Sequence, residues 1–246
     1  MSDHTEAPAD VRQMRVDLAA AIRLAERFDF HEGICNHFSV ALPGPGERYL
    51  INSYGLHWSE TGPDDLLMID GDGTVLEGDG EVEATARFIH VAAHRANPRH
   101  AAVFHTHMPH ATALTMVDGG RLEMAHQTAT MFYGRIAYEE EFGGLADDDD
   151  AGAAVARRSR EEADADIVFL AHHGVMIGAP SIARAFNDLY YLERACRQQV
   201  LAQSTGLPLK PIPEEMVRHT ARQIAQSAEV QAQAFFAALK RLLPPL

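Results

Sequence analysis

Cysteine is scarce in this chain, with only Cys35 and Cys196 among 246 residues. Two cysteines cannot build a disulfide framework, and their separation fits no metal-binding motif, so both read as reduced thiols. Basic residues are also few. Lys and Arg number 21 against 35 Asp and Glu, a formal charge of −14, and a field of that sign repels phosphate backbones and anionic lipid alike. Nucleic acid and membrane surfaces are therefore not expected as partners. No apolar run approaches the ~20 residues that span a bilayer, and Met1 to Asp10 are small, polar or acidic where a secretory leader needs a basic flank and an apolar centre. The expected location is cytoplasmic. Internal repeats are missing, and the acidic run 147–150 is the sole low-complexity tract.

What remains is an ordinary globular composition, 46% hydrophobic and 23% charged, which argues against disorder and against fibrous architectures. Apolar residues at intervals of three and four (Val11, Met14, Leu18, Ile22, Ala25) predict an amphipathic helix over 11–28. Short β-type runs at 37–42 and 48–52 flank the turn-rich Pro43-Gly44-Pro45-Gly46, and 66–70 with 74–77 form an expected hairpin around Gly71-Asp72-Gly73. A helix over 83–96 stops before Asn97-Pro98. A strand follows at 101–107, then a helix opened by Pro109 and running to 116. The acidic run complements the dipole of a helix expected at 151–163. A buried strand at 166–171, a long helix at 181–203 capped by Ser181 and a last helix at 214–243 complete the reading.

Interleaved strands and helices, some strands joined by hairpins, imply a mixed, largely antiparallel sheet covered by helices. The expected organisation is one domain over 1–246, with a flexible N-terminus at 1–10 and a C-terminal helix and tail at 214–246. Asp70, Asp72, Thr74 and Glu81 share offsets with a calcium loop, but Val75 stands where that loop needs glycine, and a hairpin turn explains them better.

The unusual feature is 14 histidines. In Val103-Phe104-His105-Thr106-His107 the side chains of a strand alternate, so His105 and His107 project from one face within reach of a single ion. His-x-His alone arises readily by chance. A second cluster, His172-His173-Gly174, closes the apolar strand at 167–171, and its glycine permits an unusual backbone turn.

In these features the sequence resembles the class II aldolase and adducin family, whose sugar-phosphate aldolases and epimerases use a divalent metal. The match covers most of the chain in order. Cys35-Asn36-His37-Phe38-Ser39-Val40 is similar to the family's first substrate loop and Ile51-Asn52-Ser53-Tyr54-Gly55 to its second. Phe88-Ile89-His90 on a helix, His105-Thr106-His107 and the distant His173-Gly174 follow. The resemblance implies a three-layer α/β/α fold, a divalent ion on His105, His107 and His173, substrate contacts from Asn36, Asn52 and Ser53, and a homotetramer with sites near subunit contacts. Three imidazoles suit zinc best, with manganese, iron or cobalt as alternatives.

The departures from the family pattern redirect the chemistry. Aligning His90 with the family's helix histidine puts Ala86 where the catalytic Glu stands, and Ala84-Thr85 where phosphate-holding serines stand. A methyl group moves no proton, and a non-phosphorylated small-molecule substrate becomes the expectation. Glu83, one turn earlier on the same face, is the first candidate acid/base, although an acid there also complements the helix N-terminus. His126 from a neighbouring subunit, or a metal-bound water, is the second. His90 and His94 share a helix face and read better as hydrogen-bonded histidines than as ligands, and His31, His37, His57 and His110 have no partner identifiable from sequence. The expected activity is a metal-dependent lyase acting on a carbon–carbon bond beside a carbonyl. Decarboxylation and a non-catalytic adducin-like interaction role are the alternatives.

Overall fold

The computed structural model describes residues 9–144 and 165–245, so the helix expected at 151–163 and the acidic run before it lie outside the described residues. Helix α1 spans Ala9–Arg27. It therefore takes in the last two residues of the segment expected to be flexible, because Asp10 sits in the first turn and accepts the Val11 N–H at 2.9 Å.

Eight strands form one sheet: β1 (His37–Ala41), β2 (Arg48–Asn52), β3 (Leu66–Asp70), β4 (Val75–Glu77), β5 (Ala102–Thr106), β6 (Ile136–Glu139), β7 (Ile167–Leu170) and β8 (Gly174–Ala179). Their order is β4-β3-β2-β1-β5-β8-β7-β6. Every pair is antiparallel except β6 with β7, which matches the expected mixed, largely antiparallel sheet. Sequence reading misses β6 and β8. Strand β8 carries two glycines, which weaken strand preference, and both are there for close approach. A Cβ on Gly178 would lie 2.1 Å from Nδ1 of the buried His100 ring. One on Gly174 would lie 2.5 Å from the Thr106 carbonyl oxygen.

Alternation sends successive side chains of β1 and β5 to opposite faces. Phe38 and Phe104 stack at 3.8 Å on the larger core, which they share with α1, α3 (Pro109–Thr115) and α4 (Ile182–Gln203). On the other face Val103 meets Ile89 and Ala93 of α2 (Ala84–Ala96), and Tyr49, Ile51, Leu67 and Ile69 meet its Ala86 and Val91. Helices thus cover both faces, giving the three-layer α/β/α arrangement. His90 and His94 share α2's buried face, and His37 and Ser39 of β1 lie beneath them.

The single C-terminal helix expected at 214–243 is corrected to two, α5 (Glu214–Ala225) and α6 (Ala228–Lys240). Ser227, at φ −121° and ψ 9°, breaks the helical path and lets α6 bury Ala232, Phe236 and Leu239, with Phe236 against Phe186 of α4 at 5.8 Å. Buried apolar area outweighs helical continuity here.

The contact at Gly178 can be tested directly. Gly178→Ala forces the His100 ring from its hydrogen bond with Asp166, 3.0 Å long. Overpacking of this kind costs about 1–3 kcal/mol, readable as a lower urea midpoint. An unchanged midpoint would contradict the packing described.

Candidate metal centre

Strand β5 places His105 on the α2 face and ends one residue before His107. The antiparallel partner β8 brings the Val175 carbonyl to His105, which donates its Nδ1–H at 3.0 Å. His107 lies 2.5 Å through Nδ1 from the Glu32 carboxylate. With both Nδ1 protons so used, the Nε2 atoms of the two rings face each other at 3.2 Å.

The third ring comes from the tight connection between β7 and β8. His172 adopts φ 54°, a left-handed conformation uncommon for a residue with a Cβ, and Gly174 lets the chain return against Thr106 and His107. His173 then lies with its ring centre 4.8 Å from that of His105 and 4.7 Å from that of His107. One nitrogen from each of the three histidines falls within 4.8 Å of the others.

With their Nδ1 atoms turned to the Val175 carbonyl and to Glu32, His105 and His107 point their Nε2 atoms at each other 3.2 Å apart, the arrangement in which two imidazoles share one cation. Tetrahedral zinc with Zn–N of about 2.0–2.1 Å has ligand nitrogens about 3.3–3.4 Å apart, so the spacing fits a divalent ion. Electrostatics agree. Burial, reinforced by His37, His173 and His107, pushes the His105 pKa well below its ordinary value, and burial with His107 beside it lowers His173 to about 4. Both rings are in the neutral, ligating form at pH 7.

Glu32 is the residue that sequence reasoning misses. It is 75 positions from His107, and no spacing rule links them. A carboxylate on the far nitrogen of a ligating histidine fixes its tautomer and raises its basicity.

The remaining candidates divide. Asn52 serves as a brace, accepting the Phe38 N–H at 2.8 Å and donating to the Asn36 carbonyl at 3.2 Å. Asn36 accepts the Glu32 N–H at 2.7 Å, while its own NH2 group is buried without a protein partner. Ser53 packs on the Gly80 backbone. Glu83 caps α2: its Oε2 accepts the Ala86 N–H at 2.8 Å and the Thr85 hydroxyl, and it lies 3.8 Å from Nε2 of His37. His37, which has no identifiable partner in the sequence, lies beside His105 at 5.0 Å between ring centres and bonds to His90 at 2.7 Å. His126 is exposed, caps the short 3-10 helix Gln127–Phe132, and lines a cavity of about 390 Å³ with Glu123, Gln199 and Lys210. His110 pairs with Glu193 at 2.6 Å, and His31 and His57 meet edge to face.

The geometry can now be set beside known proteins. A family model, the Class II Aldolase and Adducin N-terminal domain, matches residues 16–200. The decarboxylase NovR of Streptomyces niveus is 30% identical over 208 residues, covering 84% of this chain and 75% of the relative. Among solved structures, an aldolase II superfamily protein from Pseudomonas syringae superposes with a TM-score of 0.87 at 30% identity, covering 96% of this chain and 95% of its own. An L-fuculose 1-phosphate aldolase from Glaciozyma antarctica gives 0.82 at 25%, covering 98% and 94%.

The buried histidines make the metal-free protein acid-sensitive. Burial holds His94 at about 4 against 6.5 for the free side chain. Between those values the unfolded chain binds a proton that the folded chain refuses. Stability is therefore complete above pH 6.5 and is lost as pH falls toward about 4, at up to about 1.4 kcal/mol per pH unit for this residue. Urea unfolding of His94→Gln is expected to show a shallower pH slope than the parent; equal slopes would contradict the assignment.

Proposed function

This chain belongs to the class II aldolase and adducin family, and from that premise we propose that it is a metal-dependent lyase. It makes or breaks a carbon–carbon bond beside a carbonyl in a small, non-phosphorylated hydroxy or keto substrate. The observation that carries this reading is the pair of Nε2 lone pairs 3.2 Å apart on His105 and His107, closed by His173. Such a centre has no structural work to do in a core already filled by apolar packing. A divalent ion held there, zinc or alternatively manganese, iron or cobalt, supplies Lewis acidity for a carbonyl oxygen and for enediolate-like charge.

The chain's own residues divide the remaining tasks. Glu32 and the Val175 carbonyl orient His107 and His105. The NH2 group of Asn36 is free to meet a substrate oxygen, with Asn52 and Ser53 shaping the second loop. Glu83 carries the proton, since Ala86 offers only a methyl group, 1% exposed among Tyr49, Ile51 and Leu67. His126 of a neighbouring subunit is the alternative carrier, within a cytoplasmic homotetramer supported by the exposed apolar side chains Leu201, Leu207 and Val230 on the C-terminal helices and their linker. The absence of a carboxylate at position 86 and the likeness to a decarboxylase favour one second reading, decarboxylation, for which an ion held by His105, His107 and His173 would supply the same Lewis acidity.

The purified protein is expected to bind a divalent ion stoichiometrically, and His107→Ala to lose it while staying folded. Glu32→Gln should weaken binding by about 10–100-fold, as loss of an outer-shell carboxylate does elsewhere. Full metal content in His107→Ala would sink the assignment. Turnover separates the two reactions: Glu83→Gln should cost about 10²–10⁴ in rate for bond cleavage that needs a proton carrier and little for decarboxylation. Efficient wild-type cleavage of a ketose phosphate would contradict the non-phosphorylated substrate. Light scattering should give the mass of four chains, and a monomer would remove His126 from the site.

A further inference from the structure

Beneath α2 runs a chain of buried polar side chains that the metal centre does not use. His94 Nδ1 lies 2.8 Å from the carbonyl oxygen of His100, and its Nε2 lies 2.8 Å from the Ser39 hydroxyl. Ser39 Oγ bonds His90 Nδ1, and His90 Nε2 lies 2.7 Å from His37 Nδ1. His37 Nε2 ends the chain 3.8 Å from Glu83 Oε2. All four members of the chain are at least nine-tenths buried.

Proton counting gives this chain a direction. All three rings are buried, and among the described residues no carboxylate lies within hydrogen-bond distance of any of their nitrogens, so each is neutral with one N–H and one lone pair. A carbonyl oxygen only accepts, so His94 must carry its proton on Nδ1, leaving Nε2 as an acceptor. The Ser39 hydroxyl therefore donates to His94, and its oxygen accepts from His90 Nδ1–H. His90 Nε2 is then an acceptor, and His37 must donate from Nδ1. One backbone carbonyl, four side chains away, leaves His37 Nε2 bare.

The atom facing it offers no proton either. Glu83 Oε2 already accepts the Ala86 N–H and the Thr85 hydroxyl, which take up its two lone pairs. Two acceptors stand 3.8 Å apart with no donor between them, next to the ring of His105. We propose that His37 Nε2, facing Glu83 Oε2, is the acceptor of a subsite that selects a hydroxyl group on the substrate, and that Ser39, His90 and His94 are positioning residues holding His37 in the required tautomer. The inference rests on the lyase reading of the three-histidine centre and narrows its substrate class. The group beside the metal-held oxygen is a hydroxyl donor, as in a 2-hydroxy acid or hydroxyketone, and a carboxylate or phosphate is repelled there by two lone-pair bearers.

Nitrogen NMR of the full-length, metal-free protein labelled at histidine reads the tautomers without any activity. The expected result is a proton on Nδ1 of His37, His90 and His94. Ser39→Ala should let His37 populate both tautomers, and Ser39→Thr, which keeps the hydroxyl, should restore the single one; a His37 signal unmoved by Ser39→Ala would overturn the relay. On zinc-loaded protein, the preference for glycolate over acetate should fall about tenfold in His37→Phe, since an unanswered hydroxyl loses one buried hydrogen bond. An unchanged preference would overturn the subsite. Failures also separate by cause. A chain that binds no zinc but keeps the proton on Nδ1 overturns the lyase reading beneath the subsite. One that binds zinc but carries the proton on His37 Nε2 overturns the subsite alone.

Discussion

A neutral imidazole buried in a protein carries one N–H and one lone pair, and each must find a partner. Much of this molecule's polar interior follows from that constraint. His105 spends its N–H on the Val175 carbonyl, so its lone pair turns toward His107. His94 spends its N–H on the His100 carbonyl, and the consequence travels through Ser39 and His90 to His37. Two backbone carbonyls thus decide which ring nitrogens donate and which accept. Burial strengthens both effects, because it keeps the rings neutral and raises the penalty for a nitrogen left unpaired.

The fold supplies these partners through register. Pairing of β1 with β5 sets His37 directly opposite His105, and pairing of β5 with β8 brings Val175 beside Thr106. A slip of one residue in β5 would exchange His105 for Phe104 and turn the centre into the apolar core. The stacked Phe38 and Phe104 rings on the opposite face oppose such a slip. Glycine does the remaining work at two places in β8, where Gly174 lets the His173 turn close on His107 and Gly178 leaves room for His100. The apolar layer therefore holds the polar one in place.

Much of this was legible in the sequence. Alternation put His105 and His107 on one face, the His173-Gly174 turn was recognisable by its glycine, the mixed sheet covered by helices followed from interleaved elements, and the three-layer arrangement from the family resemblance. The acidic residue at position 83 was expected to complement the helix N-terminus, and the structure shows it capping α2. Strand β8 was hidden because its glycines serve close packing, which local preference does not register. The break at Ser227 was hidden because the helical pattern runs on, and only burial against α4 turns the chain. Glu32 and His37 were silent for a different reason. Their partners are 75 and 53 residues away, and hydrogen bonds across such distances leave no periodic trace.

The central claim is that three imidazole nitrogens, two of them Nε2 atoms with their Nδ1 protons already committed, surround one divalent ion. X-ray absorption at the metal edge of the zinc-loaded protein tests it most directly. The account predicts three imidazole nitrogens at about 2.0–2.1 Å with the remaining positions taken by oxygen. A sulfur ligand, or fewer than three imidazoles, would contradict it.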